Sequence, residues 1–431
     1  MLYAICDCDN CFVSCERVFN PALDGKPVVV LSNNDGCVVA RSSEAKKLGI
    51  KMGLPYYQLR QRFSNDTVIA FSSNYELYAD MTARVMSLIR KSVPSFFRYS
   101  IDEAFCMLPD MDVKDAKRWG ERLSQWVYRS TGMPLSIGIA PNKTLAKIAS
   151  SFAKNYTGYN HCCMIENESQ RFKALSLTDI GDVWGIGRKL ATALKRDYIL
   201  TAADFAAKPA QWVNSRFNVT AQRTWRELNG DDCIPDEQMS ISKSITVSRS
   251  FAETTSDFGS LRTHVSNFAS RCAEKLRRQK SVASTVGVYI VTNRFRDDMP
   301  QYGNMLDYPL LTPTDSTVTI VKYACEALKK IYKSGYQYKK AGVILMGIGS
   351  HEGIQPDLFE FSQENTDKLH RLDEVIDSIN NVQGKDTLIV CSQQYAPKGG
   401  LGKKCEFADM IRHDHRSPNP TTRWSDLIKL R

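Results

Sequence analysis

The chain has 431 residues, of which 43% are hydrophobic and 24% are charged, and its formal net charge is +10 at pH 7. This length predicts two to four domains, and no apolar stretch approaches the roughly 20 residues of a membrane-spanning helix. The basic charge favours a polyanionic partner, with plain solubility as the alternative. Because Met1-Leu2-Tyr3 runs straight into a strand-like stretch without an export signal, we expect a cytoplasmic protein without membrane contact.

Thirteen cysteines are present, and an odd number without an export signal predicts reduced thiols. Four of them fall within AICDCDNCFVSCE, residues 4–16. The first residues alternate, so Cys6 and Cys8 share one face of a predicted strand and Asp7 lies on the other. The next two cysteines lie one turn apart on a predicted helix. A zinc site is the minority interpretation, because this spacing is not that of a ribbon or finger.

Acidic residues follow two predicted strands. FFRYSIDEAFCML, residues 96–108, predicts two short strands around a tight turn, with Asp102 and Glu103 at or near its tip. Such acids are usually only solvated, but Asp7 ends another predicted strand. A third strand, PLSIGIA at 134–140, could lie beside both in one sheet. Three carboxylates at one sheet edge would bind a divalent metal.

Two helices are predicted from apolar periodicity. In NKTLAKIASSFAK, residues 142–154, one face packs and the opposite face is cationic, carrying Lys143, Lys147 and Lys154. An ordinary amphipathic surface helix is the alternative interpretation. The other helix, 78–91, has an apolar stripe that we interpret as packing only.

The segment VWGIGRKLATAL, residues 183–194, has the pattern of a helix-hairpin-helix. The tight turn at Gly185 and Gly187 can bring backbone N–H groups at a helix N-terminus up to a nucleic-acid phosphate. A dinucleotide fingerprint is excluded, because the third glycine and a preceding βαβ strand are missing.

The last half of the chain predicts a linker at 229–240 and then a small domain of order βαββαβ. The strands are predicted at 243–251, 284–292, 305–311 and 340–347, and the helices at 260–279 and 316–333. Its first helix is basic, and the first strand carries Lys243 and Arg249, which favours nucleic-acid binding over a merely solvated face.

After this domain, IQPDLFEF presents Gln355, Leu358 and Phe359 in a poorly periodic region that precedes a helix near 363–380. Two adjacent large apolar residues on a loop often bind a groove of a partner. The pattern is short, so chance occurrence is a serious alternative.

Long motifs resemble those of the UmuC branch of the Y family of translesion DNA polymerases, from the first strand to the last residues. They are SNNDGCVVARSSEAKKLGIKMG (32–53), FSSNYELYADM (71–81), YSIDEAF (99–105), GDVWGIGR (181–188), LLTPT (310–314), YKKAGVIL (338–345) and TTRWSDLIKL (421–430). The resemblance implies an α+β, multi-domain right-hand polymerase. Its parts would be a ferredoxin-like palm (1–20 and 75–170), small fingers (21–74), a helix-hairpin-helix thumb (171–238), a βαββαβ little finger (239–350) and a UmuC-type tail (351–431).

The resemblance also assigns the acids. Asp7, Asp102 and Glu103 match the catalytic, metal-binding residues of the family, and the carbonyl of Cys8 matches its backbone ligand. Two Mg²⁺ ions held there would lower the pKa of a primer 3′-hydroxyl and stabilise the pyrophosphate leaving group. In this interpretation Asp7 binds metal, and the side chains of the cysteines around it only pack in the core.

Nucleotide-binding residues follow from the same resemblance. Phe12 matches the aromatic steric gate, whose ring would exclude a 2′-hydroxyl, but Cys11 replaces the more usual aromatic before it. Lys154 matches a triphosphate-contacting lysine. Lys46 stands where many relatives have arginine. A lysine presents a point charge instead of the bidentate fork of an arginine, and Arg41 could compensate for this difference.

The implied function is error-prone translesion synthesis in the SOS response, using dNTPs on primer-template DNA without proofreading. The implied partners are a UmuD′-type dimer, a RecA filament and a sliding clamp, which would bind Gln355, Leu358 and Phe359. Two alternatives are a palm-fold nucleotide cyclase and a non-catalytic DNA-bound or clamp-bound scaffold. The hairpin and the basic final domain argue against the cyclase, and the presence of all three acids argues against the scaffold.

Overall fold

The computed structural model describes residues 2–235, 242–350, 363–384, 386–394 and 412–427. The chain forms two compact units, Met1–Glu237 with Asp414–Arg431, and Gln238–His413. The strands of the first unit are β1 (Leu2–Cys8), β2 (Val28–Leu31), β3 (Val38–Arg41), β4 (Ile69–Ser72), β5 (Ser95–Arg98), β6 (Glu103–Leu108), β7 (Leu135–Ala140) and β8 (Cys162–Met164). Its helices are α1 (Cys11–Phe19), α2 (Ser43–Lys47), α3 (Tyr56–Arg62), α4 (Tyr75–Lys91), α5 (Val113–Thr131), α6 (Lys143–Asn155), α7 (Glu168–Leu177), α8 (Arg188–Arg196), α9 (Ala202–Ala206), α10 (Ala210–Arg216) and α11 (Val219–Leu228).

The main sheet of the first unit has five strands in the order β5-β6-β1-β7-β8. Both faces of its central strand β1 are buried, as the alternation in the sequence allows. Ala4 and Cys6 join one core, with residues of α1, α4 and α5, and Tyr3 and Ile5 join another, with residues of α6 and the following helices. The sheet is therefore a rigid middle layer between helices.

The four cysteines at the start of the chain lie in the first of these cores. Cys6, Cys8, Cys11 and Cys15 are each no more than 5% exposed, which confirms that they pack. Hydrogen bonding with Cys106 and burial raise the pKa of Cys6 well above its ordinary value, so this thiol stays protonated at neutral pH.

The strand PLSIGIA lies in one sheet with both acidic strands, as expected, but the expectation that it lies beside both is wrong, because it pairs with only one of them. β6 and β7 pair with opposite edges of β1, each in antiparallel register. A strand has only two hydrogen-bonding edges, so β1 separates β7 from the strand of Glu103.

A smaller sheet, of order β3-β2-β4, has its own core with residues from α2 and α3. The first part of the predicted linker, 229–240, contacts the first unit. The side chain of Asn142 donates to the carbonyl of Asp231 at 2.9 Å, and Lys143 Nζ donates to the carbonyl of Ile234 at 2.6 Å. Residues 229–235 are therefore bound to the first unit, and 236–241 lie outside the described residues.

The second unit contains β9 (Ile245–Thr255), α12 (Phe258–Arg278), β10 (Ser281–Thr292), β11 (Gly303–Thr314), α13 (Thr317–Ile331), β12 (Tyr338–Ser350) and α14 (Gln363–Gln383). This confirms the βαββαβ order, with the strands arranged β11-β10-β12-β9. The side chain of Arg277 on α12 pairs with Asp377 at 2.7 Å and with the buried Asp373 at 3.7 Å, so α14 is held to this unit. The predicted tail, 351–431, is thus shared between the two units. Among the helices whose residues are described, none has the length and apolar character to cross a membrane.

We predict that Gly138→Ala destabilises the first unit. A Cβ at Gly138 on β7 would lie 2.1 Å from the backbone oxygen of Ala146 and the backbone nitrogen of Ser150, both on α6. Because backbone atoms cannot turn aside, α6 must move, and we expect the free energy of unfolding to fall by about 3 kcal/mol or more in urea denaturation. The control is Gly158→Ala, since a Cβ there has no atom within 4 Å. Equal stability of the two variants would contradict the prediction.

We predict that His264 makes the second unit less stable in acid. Its ring stacks on Phe251 at a centroid distance of 4.5 Å, and burial lowers the pKa of His264 to about 4. The unfolded chain, with an ordinary pKa near 6.5, takes up a proton first as the pH falls, so stability is complete above about pH 6.5 and declines towards pH 4. Up to about 3 kcal/mol depends on this group.

The measurement compares wild type with His264→Phe in urea unfolding at several pH values between 4 and 7. The variant keeps a ring but cannot titrate, so its stability should fall less steeply in this window. Parallel pH profiles of the two proteins would show that His264 does not contribute.

Candidate active site

The three acids predicted from the sequence lie at one end of β1 and β6. The antiparallel register places Asp7 directly opposite Glu103. Asp102 precedes Glu103 in the turn from β5, and its carbonyl accepts from the N–H of Cys8 at 3.0 Å. Ser100 fixes the turn, because its Oγ donates to Asp102 Oδ1 at 2.6 Å and accepts from the N–H of Glu103 at 3.0 Å. The backbone therefore brings all three acids together.

Two lysines of α6 reach these acids. Lys154 Nζ lies 3.0 Å from Asp7 Oδ1 and 3.5 Å from Asp9 Oδ1. Lys147 Nζ donates to both carboxylate oxygens of Glu103, at 3.0 and 3.1 Å. Both lysines, Asp7 and Glu103 line a cavity of about 380 Å³. The site thus alternates negative and positive groups around an open volume.

The face of α6 that carries the lysines is largely enclosed, so the alternative of an ordinary amphipathic surface helix is wrong. Lys143 is only 3% exposed, and the side chains of Lys147 and Lys154 are 18% and 25% exposed. The helix is enclosed because the sheet lies on one side and α7 and α11 also contact it. The sequence analysis gave Lys147 no role, although its seven-residue separation from Lys154 places both on one face of the helix.

The charged groups at this site shift one another's pKa values. The pKa of Asp7 is raised to about 6, because burial and, to a smaller extent, the neighbouring Glu103 and Asp9 outweigh the opposite effect of Lys154. Burial opposes the charge on Lys154, but the carboxylates of Asp7 and Asp9 leave its pKa above the ordinary value. Negative charge is therefore concentrated in a place that is poor in water.

Such a site suits a hard divalent cation, because its donors are carboxylate oxygens. Each carboxylate is, however, engaged by a protein group: Asp7 by Lys154, Glu103 by Lys147 and Asp102 by Ser100. Within the described residues, no three His, Cys, Asp or Glu side chains are arranged as a set of metal ligands. The ligand chemistry fits Mg²⁺, and the side chains would have to exchange their present partners to bind it.

Asp9 is a further buried acid of this site, and the sequence analysis gave it no role. It is 9% exposed and accepts from Ser136 Oγ of β7 at 2.8 Å. Its position two residues after Asp7, in a chain that alternates, is the signal that could have identified it. By pairing with Lys154, it holds that lysine beside Asp7.

Three aromatic side chains of α1 and α4 pack together into an aromatic wall. The ring of Phe12 on α1 stacks on Tyr78 at 4.6 Å and makes a T-shaped contact with Tyr75 at 5.7 Å. Cys11 is 5% exposed and lies in the core instead of extending this wall. The 78–91 stripe packs as predicted, since Tyr78, Val85 and Ile89 lie in the core, and the Tyr78 hydroxyl in addition donates to Glu16 at 2.6 Å.

The structure brings Lys46 to the same site. Its Nζ donates to Asn10 Oδ1 at 2.7 Å, and burial together with the positive charges of Lys154 and Arg41 lowers the pKa of Lys46. Arg41 already donates to the carbonyl of Ile50. Three cations thus approach one another where an anionic ligand would relieve their repulsion.

The glycine turn at the start of α8 has the expected tight geometry. Gly185 has φ +88°, and a Cβ there would lie 2.2 Å from Thr224 Oγ1, so a side chain is excluded on both grounds. Gly187 immediately precedes α8, and a Cβ there would meet nothing within 4 Å. The first arm of the hairpin is a single 3₁₀ turn, Ile180–Asp182.

The remaining candidate residues lie elsewhere. Lys243 is exposed before β9, while Arg249 is half-buried and pairs in register with Ala341, on the face where α12 packs. DNA contacts by these two residues stay predictions. The clamp-binding candidates, Gln355, Leu358 and Phe359, lie outside the described residues.

Comparison with sequence families gives three consecutive matches. The impB/mucB/samB family matches residues 6–151, and the C-terminal domain of that family matches 242–358. A domain of unknown function, DUF4113, matches 370–430.

Curated relatives match over the same length. The chain is 38% identical to Protein UmuC of Salmonella typhimurium, over 100% of both chains, and 37% identical to Protein SamB of Salmonella typhimurium, over 99% of both. It is 25% identical to DNA polymerase IV of Oceanobacillus iheyensis, over 95% of this chain and 96% of that one.

Solved structures share the fold. The Y-family DNA polymerase chimera Dbh-Dpo4(243-245)-Dbh has a TM-score of 0.67 at 22% identity, covering 81% of this chain and 100% of that chain. DinB from Sulfolobus solfataricus has a TM-score of 0.52 at 22% identity, covering 80% and 98%. The predicted multi-domain α+β fold of a right-hand polymerase is confirmed. The chain belongs to the impB/mucB/samB family, the family of UmuC, and has the fold of the Y-family DNA polymerases.

Proposed function

We propose that this protein is an error-prone DNA polymerase that adds dNMPs to a primer 3′-hydroxyl and continues past damaged template bases. The observation that carries the proposal is the register of β1 and β6, which sets Asp7 opposite Glu103 with Asp102 beside them. Acids paired with lysines around an open cavity are what phosphoryl transfer requires, because that reaction depends on positioning and on neutralising charge. Similarity to UmuC and to DNA polymerase IV supports the same activity.

Asp7, Asp102 and Glu103 would hold two Mg²⁺ ions, together with the carbonyl of Cys8. When bound, the ions supply Lewis acidity that lowers the pKa of the primer hydroxyl and stabilises the leaving group. In their absence, the ion pairs with Lys147 and Lys154 keep the carboxylates compensated.

The lysines bind and orient the incoming dNTP. Lys154 and Lys46 approach the same place from α6 and α2, and Arg41 lies close enough to shift the pKa of Lys46. A triphosphate carries the negative charge that relieves the repulsion between these cations. Because Lys46 is a point charge, it neutralises the triphosphate without fixing one orientation, and orientation depends on the neighbouring contacts.

The aromatic wall selects the sugar. Phe12 stacks on Tyr78 and makes a T-shaped contact with Tyr75, so its ring has little room to move away from the sugar. A ring held in this way against C2′ of the sugar excludes a 2′-hydroxyl by contact. Phe12 is therefore the residue to which we assign discrimination between dNTPs and NTPs.

The wider role is action in the SOS response with a UmuD′-type dimer, a RecA filament and a sliding clamp. The support is the full-length similarity to UmuC and the sequence of the peptide with Gln355, Leu358 and Phe359. A clamp would raise the effective concentration of a weakly bound polymerase at the primer end. The hairpin at Gly185 and Gly187 would bind the DNA backbone through its N–H groups.

We predict that Asp102→Ala and Glu103→Ala each abolish primer extension. Loss of one carboxylate removes several kcal/mol of charge stabilisation, which corresponds to a fall in rate of ~1,000-fold or more. The assay uses undamaged and abasic templates with Mg²⁺ and dNTPs, each with and without clamp, RecA filament and UmuD′-type partner. The matched control is Asp110→Ala, an exposed aspartate just beyond the other end of β6, which should extend like wild type.

Extension by both acid variants at the wild-type rate would contradict the catalytic assignment. Retained DNA binding in those variants would then favour the scaffold. Measuring binding to primer-template DNA alongside extension therefore separates the two functions.

We also predict that Phe12→Ala increases NTP incorporation. Removing the ring removes the contact with the 2′-hydroxyl, so the ratio of kcat/KM for dNTP over NTP should fall by roughly 10- to 100-fold. Single-nucleotide incorporation with matched dNTP and NTP measures this ratio. The control is Phe19→Ala at the other end of α1, and an unchanged ratio for Phe12→Ala would refute the role of the ring.

A further inference from the structure

The last described residues of the chain, 414–427, lie against the first unit. Near the end of β4, Ser72 and His415 bond to each other twice. The N–H of Ser72 donates to the carbonyl of His415 at 3.0 Å, and the N–H of His415 donates to Ser72 Oγ at 2.9 Å. Tyr56 adds a contact, with its hydroxyl 2.9 Å from Nε2 of His415. We call residues 414–427 the C-terminal strap.

A second set of contacts joins the strap to the start of α4. Glu76 Oε2 accepts from Asn419 Nδ2 at 2.8 Å, from Arg416 Nη2 at 3.0 Å and from Arg423 Nη2 at 3.3 Å. Asn74, which is fully buried, donates to Ser417 Oγ at 3.0 Å. The side chains of four strap residues therefore converge on the two residues that flank Tyr75.

A third contact joins the strap to Glu16, the hydrogen-bond partner of Tyr78. Ser417 Oγ donates to Glu16 Oε1 at 3.0 Å. Glu16 Oε1 also accepts from the Tyr78 hydroxyl, at 2.6 Å. Glu16 is 3% exposed, so its carboxylate depends on these donors instead of on water. Removing Ser417 would take away one of the two side-chain donors that hold this carboxylate in place, and Tyr78 is anchored to that carboxylate.

We propose that the C-terminal strap is a positioning element for sugar selection, which fixes Tyr75 and Tyr78 behind Phe12 through Asn74, Glu76 and Glu16. The inference rests on the proposed function, in that it takes the ring of Phe12 to meet the sugar. It gives a role to the end of the segment that matches DUF4113. The strap residues do not touch the reacting atoms, so they act through the stacked rings.

The geometry of the stacked rings explains why loss of the strap would change the selectivity for dNTP over NTP. Tyr78 lies parallel to Phe12, with 14° between the ring planes, and Tyr75 lies nearly perpendicular to Phe12, at 84°. A small rotation of α4 or of the Tyr78 ring opens space behind Phe12, and a 2′-hydroxyl needs little space. The acids on β1 and β6 are on other elements, so catalysis of dNTP addition depends less on the strap.

The test compares Glu76→Ala with Asp80→Ala in the full-length protein. Glu76 binds three strap side chains, whereas Asp80, one turn later on α4, pairs with Arg84 at 3.0 Å. Hydrogen exchange at 414–427 reports release of the strap, and single-nucleotide kinetics give the ratio of kcat/KM for dNTP over NTP. This ratio does not depend on the fraction of active enzyme.

We expect faster exchange and a ratio lowered roughly three- to tenfold in Glu76→Ala, the range set by loss of a positioning hydrogen bond. Asp80→Ala should match wild type in both readouts. Ser417→Ala, which keeps the charged contacts of Glu76, should lower the ratio in the same direction. In the double variant Phe12→Ala/Glu76→Ala, the ratio should equal that of Phe12→Ala alone, because the strap acts through that ring.

The proposal is overturned if exchange increases in Glu76→Ala and the ratio stays at the wild-type value. If exchange does not increase, Ser417→Ala decides, and an unchanged ratio in that variant overturns the proposal as well. The sugar role of Phe12 is judged separately: if Phe12→Ala leaves the ratio unchanged, the proposed function of that residue fails. If Phe12→Ala lowers the ratio and the strap variants do not, only the inference about the strap fails.

Discussion

Two ion pairs between α6 and the central strands determine what the rest of the site can do. Acids placed on adjacent strands repel one another, and burial makes that repulsion stronger. Lys147 and Lys154 offset it at Glu103 and Asp7. They reach the acids only because α6 packs directly on β7 at Gly138, where no side chain intervenes. The close approach of a helix to a strand is therefore a requirement of the chemistry as well as of the core.

Local pattern predicted the parts of the site that lie within one strand pair. The alternation before Asp7 and the turn before Glu103 are short-range signals, and the structure has both as expected. The order of the strands was harder to predict, because the sequence of an apolar strand such as β7 does not indicate which strands it pairs with. The cationic face of α6 was predicted, but the acids with which its lysines pair were not, because that pairing depends on how the helix packs on the sheet.

The C-terminal strap could not be predicted at all. Its contacts join residues that are more than 300 positions apart, as with Ser417 and Asn74 or Asn419 and Glu76, and nothing periodic marks them. The apolar periodicity correctly predicted that Tyr78 lies in the core. It could not predict that the Tyr78 hydroxyl binds Glu16 or that its ring stacks on Phe12. Buried polar atoms such as those of Glu16 and Asn74 are where packing and function coincide, because each must find a partner.

The burial of the cysteines has a practical consequence for solution studies. Eight of the twelve cysteines in the described part of the chain are buried, three are half-buried, and Cys391, in the second unit, is exposed. Thiol reagents react with accessible thiolates, so a maleimide dye would attach at Cys391 in preference to the other eleven. That thiol is a native attachment point for a fluorophore or spin label, far in sequence from the acids of β1 and β6, and it would allow the second unit to be followed while the candidate active site stays unmodified.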